Sequence, residues 1–347
     1  MEYNERMANA NETVCVCIAA YNAAGTIARA VTSALDQAEV GEIIVVDDAS
    51  TDATAETARA CDDGSGRLSV LSLDKNAGPS AARNAALSRS RAGIFCMLDS
   101  DDFFLPGRIG RLLAADVGDW DFLADDILIV PEELAQTAPI PNTEDAQGTN
   151  LTLDLETFVL SNVSDPRRPR AELGFLKPLI RRRFIDSRGM RYDPTMRLGE
   201  DYALYVRALM AGAIFKVAGF YGYIAVERST SLSSQHRASD LAGIRDFDAQ
   251  CLQYPGLATA ERQALLAHQQ STANKWALAR GLEIKRDQGV GAALAFLAQQ
   301  PRNVRYVASE IIRAKSANLS GRWRNAAAQP AELRVRRLIG QKPITAG

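Results

Sequence analysis

The stretch Glu42-Ile43-Ile44-Val45-Val46-Asp47-Asp48-Ala49-Ser50-Thr51-Asp52 decides how this chain folds. Four consecutive apolar residues without polar alternation describe a short strand covered on both faces, as parallel sheets require. The run ends on acid, and Ser50-Thr51-Asp52 supplies side-chain oxygens of the kind that cap a helix, here predicted through Ala55–Cys61. The same strand-then-helix unit recurs outward in both directions. Val14–Ala19 reads as a strand and Thr26–Asp36 as a helix with Ile27, Ala30, Val31, Ala34 and Leu35 on one face. Leu68–Leu73 is a third strand, followed by a helix over Gly78–Ser88 with Pro79 in its first turn, where a missing N–H costs nothing. Ile94–Leu98 is a fourth strand that ends on Asp99-Ser100-Asp101-Asp102, ahead of a helix over Pro106–Ala115 and a strand over Asp121–Val130. Repeated units of this kind specify an α/β fold built on a largely parallel sheet.

Beyond this core the pattern loosens. Residues 131–150, with three prolines and no periodicity, read as a mobile surface loop. Arg191–Leu198 is expected to be extended, Asp201–Ala211 helical with Leu204, Leu209 and Met210 buried, and Ile214–Val226 a strand or pair of strands. From Ser239 to the end the sequence is rich in Ala, Leu, Gln and Arg and reads as helical throughout. The expected division is therefore a first domain over residues 1–230, with halves 13–130 and 150–230, and a helical basic region over 231–347.

Composition bounds the function. With 47% apolar and 24% charged residues over 347 positions, the chain is an ordinary globular one. Residues 1–13 contain no apolar run suited to a signal peptide, and no uninterrupted apolar stretch approaches a membrane span, so a cytoplasmic location is expected. The five cysteines form no CxxC pair and mostly lie in or beside apolar runs, as small core residues. With only His236 and His268, a multi-histidine metal centre is excluded, so any metal must be held mainly by carboxylates. The net charge of -2 hides an asymmetry: from Arg302 onward ten basic residues face two acidic ones, a surplus of +8 against -10 elsewhere.

Ligands of parallel α/β sheets bind where strands end and loops meet helix N-termini. Strand one ends in Ala19-Ala20-Tyr21-Asn22, strand two in Asp47-Asp48, and strand four in Asp99-Ser100-Asp101-Asp102. A ligand spanning them would meet an aromatic face, an acceptor for a base N–H and a dense set of carboxylates. Such a set raises its own pKa values or recruits a cation, and oxygen-only ligation suits Mg²⁺ or Mn²⁺. The competing reading makes these acids helix caps only. Glu200 and Asp201, opening a helix after Gly199, offer either a general base or ordinary first-turn residues. No GxGxxG or Walker-type loop is present.

Taken in order, Ala19-Ala20-Tyr21-Asn22, Val45-Val46-Asp47-Asp48-Ala49-Ser50-Thr51-Asp52, Asn76-Ala77-Gly78-Pro79-Ser80-Ala81-Ala82-Arg83-Asn84, Leu98-Asp99-Ser100-Asp101-Asp102 and Gly199-Glu200-Asp201 resemble the family 2 glycosyltransferases. The resemblance covers roughly residues 13–230 and is greatest to bacterial exopolysaccharide transferases of the succinoglycan type. It implies the GT-A fold, a Rossmann-like mixed sheet flanked by helices, and a helical C-terminal region. It further implies inverting transfer of a hexose, glucose, from a UDP-sugar to a lipid-linked oligosaccharide. Tyr21 would stack on the base, Asp48 would accept its N–H, and Arg83 would approach the phosphates. Ala19, Asp99 and Ser100 would line the nucleotide. Asp101 with Asp99 would hold the metal, Asp201 would be the catalytic base, and His236, where the family has a segment that closes over the donor, would be either a third metal ligand or a solvated loop residue. Ala20 stands where relatives often carry proline or serine.

Two further expectations concern the tail and the rival activities. Val304–Ile312, Trp323 and Arg334–Ile339 intersperse apolar and basic residues, as in helices that lie on an anionic membrane surface. A peripheral contact with the inner membrane face is one expectation from this, a solvated helical face or a contact with a partner subunit the other, and nucleic acid is not expected. A sugar nucleotidyltransferase would need a basic glycine-rich loop after strand one, where this chain has Tyr21-Asn22-Ala23-Ala24-Gly25. An aspartyl phosphatase would follow its DxD with Thr or Val, where here Asp102-Phe103 follows.

Overall fold

The computed structural model describes residues 13–137, 149–163, 172–228, 237–324 and 335–339. Strands β1 (Val14–Ala20), β2 (Val40–Asp47), β3 (Leu68–Ser72) and β4 (Ile94–Met97) are parallel and lie side by side as β3-β2-β1-β4. Helices α1 (Ile27–Leu35), α2 (Thr54–Arg59) and α3 (Pro79–Arg89) connect them. The run Val14–Ile18 is wholly buried, as a central strand covered on both faces must be. The buried residues of α1, Ile27, Ala30, Val31 and Ala34, follow the helical period that the sequence displays.

The sheet then becomes mixed. β5 (Phe103–Phe104), α4 (Arg108–Leu113), β6 (Phe122–Pro131), α5 (Glu132–Thr137), β7 (Leu151–Leu153) and α6 (Leu155–Ser161) follow in order. A 3₁₀ turn (Leu173–Phe175) leads to β8 (Leu179–Arg181), α7 (Arg182–Ser187), α8 (Glu200–Met210) and β9 (Phe215–Glu227). The full order is β3-β2-β1-β4-β8-β6-β9-β5, with β8 antiparallel to both its neighbours and β6 parallel to β9. Phe122, Phe158, Tyr205 and Phe215 pack ring to ring, with centroids 5.4–6.3 Å apart, behind the half of the sheet that carries α8.

Several expectations are corrected. Residues 132–137 are helical rather than loop, and residues 138–148 lie outside the described ones. Arg191–Leu198 joins no strand; α3 satisfies its backbone instead. The Asn84 amide donates to Tyr192 O (2.8 Å) and accepts from Tyr192 N–H (3.0 Å), and Ser80 Oγ donates to Met196 O (3.1 Å). Of Ser50, Thr51 and Asp52 only Asp52 meets α2: its Oδ1 accepts from Thr54 N–H (3.0 Å), while the N-cap position itself is Ala53.

The chain divides into two compact units, residues 1–228 with 334–347, and residues 229–333. The second is helical, with α9 (Ala238–Cys251), α10 (Thr259–Gln288), α11 (Val290–Ala298) and α12 (Pro301–Arg324). The tail is not helical to its end. Strand β10 (Arg336–Arg337) pairs antiparallel with Leu128 and Ile129 of β6. The reason lies on β6, where the buried Asp126 needs partners. It accepts from Arg337 Nε (2.8 Å) and Ile339 N–H (2.8 Å), while Val335 packs with Leu128, Val130, Tyr221 and Ile224.

Candidate active site

The first two strand ends are tied together by side chains. Asn22 N–H donates to Ser50 Oγ (2.9 Å), Thr51 N–H to Asn22 Oδ1 (2.8 Å), Ala23 N–H to Thr54 Oγ1 (2.8 Å) and Ala24 N–H to Asp52 Oδ2 (3.1 Å). The hydroxyl-rich stretch after β2 thus fixes the turn that presents Tyr21, a residue 49% exposed. Asp48, buried at the end of β2, accepts from Ala77 N–H (2.7 Å) and Gly78 N–H (2.8 Å). One carboxylate on two successive amides anchors the N-terminus of α3 and so aims Arg83.

The Asp99–Asp102 turn is held by β9 and α1. Tyr223 Oη accepts from Asp99 N–H (3.1 Å) and donates to Asp102 Oδ2 (2.7 Å), while Val226 N–H donates to Asp102 Oδ1 (2.8 Å). Arg29 Nη2 donates to Asp101 O (2.9 Å). Burial, with the charges of Asp99 and Asp101, pushes the Asp102 carboxyl well above its ordinary range. Asp102 is therefore a fastening of the turn, and Asp99 and Asp101 are its outward groups.

A network of five charges links this turn to α8. Arg83 forms ion pairs with Asp99 (3.1 Å), Asp201 (3.4 Å) and, at short range, Glu200. Lys177 Nζ lies 3.0 Å from Asp99 Oδ2 and 2.8 Å from Asp201 Oδ2. Three acids thus share two cations, both cations almost fully buried. Burial favours the neutral form of Asp99, but the charges of Lys177 and Arg83 outweigh it and hold that carboxyl well below the usual range. Burial also opposes the charge on Lys177, and Asp201 and Asp99 reverse it, pushing the ammonium above its ordinary value. Asp201 Oδ1 is buried without a hydrogen-bond partner among the described residues. Gly199, at φ 76°, makes the left-handed turn that starts α8 and places both acids on its first turn.

Residues 15–139 match the family model described as glycosyl transferase family 2. Over 288 residues the chain is 44% identical to the succinoglycan biosynthesis protein ExoU of Rhizobium meliloti (strain 1021), covering 83% of each chain. The chain belongs to glycosyl transferase family 2. It is also 37% identical over 101 residues to the Escherichia coli UDP-Glc:alpha-D-GlcNAc-diphosphoundecaprenol beta-1,3-glucosyltransferase WfaP, covering 29% of this chain and 39% of that one. The structure of S. aureus TarS 1-349 in complex with UDP-GlcNAc superposes with a TM-score of 0.62 at 16% identity, over 96% of this chain and 98% of that one. The fold is GT-A.

Within this glycosyltransferase the described residues expected from the sequence fall at the carboxyl ends of β1, β2 and β4, on α3 (Arg83) and at the start of α8. Ala19 lies in β1 opposite Val46, and Ser100 and Asp101 are partly buried in the turn after β4. Asp99 and Asp201 are brought together through Lys177 and Arg83. Arg83 has its guanidinium occupied by three carboxylates, and Asp48 its carboxylate by two amides. Both oxygens of Asp99 are engaged by cations, whereas Asp101 makes no ion pair among the described residues. His236 lies outside the described residues. Among the described residues no three His, Cys, Asp or Glu side chains are grouped to hold a metal on their own.

Lys177, Tyr192 and Tyr223 were not singled out from the sequence. Lys177 did carry a signal: a lone cation in the apolar run Phe175-Leu176-Lys177-Pro178-Leu179-Ile180 must find an acid if the run is buried. Tyr223 gave none, because a tyrosine within a long strand reads as core.

Proposed function

We propose that this transferase moves a hexose, glucose, from a UDP-sugar to a hydroxyl of a growing lipid-linked exopolysaccharide oligosaccharide, with inversion at the sugar carbon. The names of the relatives support the donor and acceptor classes: ExoU is a succinoglycan biosynthesis protein, and WfaP transfers from UDP-Glc onto a diphosphoundecaprenol-linked sugar. Tyr21 offers its exposed ring to the base at the end of β1.

The observation that carries the chemistry is Asp201 Oδ1, a buried carboxylate oxygen without a hydrogen-bond partner, on the same charge network as Asp99. Its other oxygen is held by Lys177, and Oδ1 itself lies 3.4 Å from Arg83 Nη1, an ion pair that leaves it without a hydrogen bond. That oxygen accepts the proton of the acceptor hydroxyl as the hydroxyl oxygen bonds to the anomeric carbon. The bond from that carbon to the diphosphate breaks on the opposite face, and the electron pair leaves with UDP.

The residues present fit a divalent cation. Burial, then the charge of Asp99, pushes the Asp101 carboxyl above its ordinary value, a cost that a bound cation relieves. Mg²⁺ or Mn²⁺ would be held by Asp101 together with donor phosphate oxygens, and would neutralise charge developing on the diphosphate. The test of the reading is Asp201→Asn. UDP and Mn²⁺ should bind with unchanged affinity by calorimetry, while sugar transfer falls by roughly 10²–10⁴. Transfer at the wild-type rate would remove Asp201 as the base.

A further inference from the structure

We infer that Lys177 is a positioning residue of the transfer step, one that holds Asp201 Oδ2 and yokes the Asp201 carboxylate to the Asp99 turn. The inference rests on the assignment of Asp201 as base, and adds a residue which neither the family motifs nor the sequence reading singled out.

The case begins with how firmly Lys177 is placed. The two carbonyls at this point of the chain are both captured by buried side chains. Tyr205 Oη donates to Leu176 O (2.9 Å), and Arg108 Nη2 donates to Lys177 O (2.7 Å). Arg108 is itself clamped. It is wholly buried, paired with Asp125 at 2.6 Å, and its guanidinium lies over the rings of Phe104 (4.7 Å) and Tyr223 (5.4 Å). Gly222 makes room for it, since a Cβ there would stand 2.7 Å from Arg108 Cγ. A buried ion pair of this kind is a poor source of net stability, because desolvation opposes the attraction. Its geometric consequence is clear: the backbone of residue 177 is fixed from below by α4, β6 and α8.

From that fixed point the lysine reaches the two carboxylates that the chemistry has to align. Its ammonium is 2.8 Å from Asp201 Oδ2 and 3.0 Å from Asp99 Oδ2, so one cation sets the spacing between base and donor-side turn. Lys177 on Oδ2, with Arg83 Nη1 3.4 Å from Oδ1, also settles the rotation of the Asp201 carboxylate and leaves Oδ1 without a hydrogen bond. The other groups facing Asp201 are Arg83 from α3, Glu200 beside it on α8, and the phenol of Tyr192. Without Lys177, three acids would share Arg83 alone. The base would then be free to turn and no longer tied to the Asp99 turn.

Three enzymes decide the matter: wild type, Lys177→Met and Lys177→Arg, each assayed for UDP release from UDP-glucose with Mn²⁺ and a membrane extract as acceptor source. Lys177→Met should lower the rate at saturating UDP-glucose on the order of 10²-fold, the scale of a misplaced catalytic group, with the KM for UDP-glucose within about twofold of wild type. Lys177→Arg, which keeps the charge, should recover much of the rate. This arm remains readable if the methionine variant folds poorly. A raised KM with the rate unchanged would make Lys177 a donor-binding residue and overturn the inference. So would a wild-type rate in Lys177→Met, or a Lys177→Arg variant as slow as a folded Lys177→Met. Failure of the base assignment looks different, because Asp201→Asn would then stay active whatever Lys177 does.

Discussion

Asp101 and Asp99, two residues apart, have opposite electrostatic situations. Asp99 is held ionised by Lys177 and Arg83, whereas burial and the neighbouring charge of Asp99 push Asp101 up. The sign for ligand binding follows directly. A carboxyl with a raised pKa loses its charge earlier as pH falls, so metal-assisted donor binding should weaken on acidification, beginning above the ordinary Asp value of about 3.9. Calorimetric titration of UDP with Mn²⁺ across pH should show this decline. Asp101→Asn should bind more weakly at neutral pH and lose the pH dependence; an unchanged affinity in that variant would place the metal elsewhere. Residue identity alone revealed the acids, because DxD and Glu-Asp stand out in the chain. It did not reveal which oxygens were free. That depends on Lys177 and Arg83, which reach the acids only through the fold, and on Asp48, whose carboxylate turns out to hold the α3 amides.

The regular elements of the first unit were the most legible, because each strand and helix there carries its own apolar period. The failures came where a segment's hydrogen bonds are supplied by distant side chains. Residues 191–198 have no ladder because Asn84 and Ser80 of α3 take their place, and Ser50 and Asp52 also bind the turn at 22–24, Asp52 while accepting from the first amide of α2. Helix α8 depends on an element-level feature that was visible, Gly199. Its φ of 76° is a conformation that costs an L residue roughly 1–2 kcal/mol. Gly199→Ala should therefore lower stability by about that amount in denaturant titration, without abolishing folding. Transfer should fall further than stability does, since the strain is relieved by moving the first turn that carries Glu200 and Asp201. A variant with normal rate and normal stability would show that the start of α8 tolerates another backbone path.

At the scale of the whole molecule, the basic surplus after Arg302 divides between two duties. Arg337 is occupied on Asp126, and Arg336 lies 3.4 Å from Glu227, so this part of the surplus serves the sheet of the first unit. The side chain of Trp323 and residue Arg334 lie outside the described residues. What remains described is the exposed stretch of α12, where Val304, Ile311 and Ile312 stand among Arg302, Arg305, Arg313 and Lys315. No described helix is long and apolar enough to cross a membrane. We propose that this face rests on an anionic leaflet, which would bring a lipid-linked acceptor to the enzyme. Arg305 and Lys315 share the side of the helix that carries Val304, Ile311 and Ile312, and each basic residue near such a surface contributes about 1 kcal/mol, enough with the apolar side chains for reversible adsorption but not for permanent anchoring. The protein should then sediment with vesicles containing phosphatidylglycerol and stay in solution with pure phosphatidylcholine. Raising the salt to about 1 M, where the screening length shrinks to roughly 3 Å, should release it. Replacing Arg302, Arg305, Arg313 and Lys315 by Gln should abolish sedimentation while leaving UDP binding intact. Binding that ignores both lipid charge and salt would refer the apolar side chains to a protein partner and remove the membrane from the account.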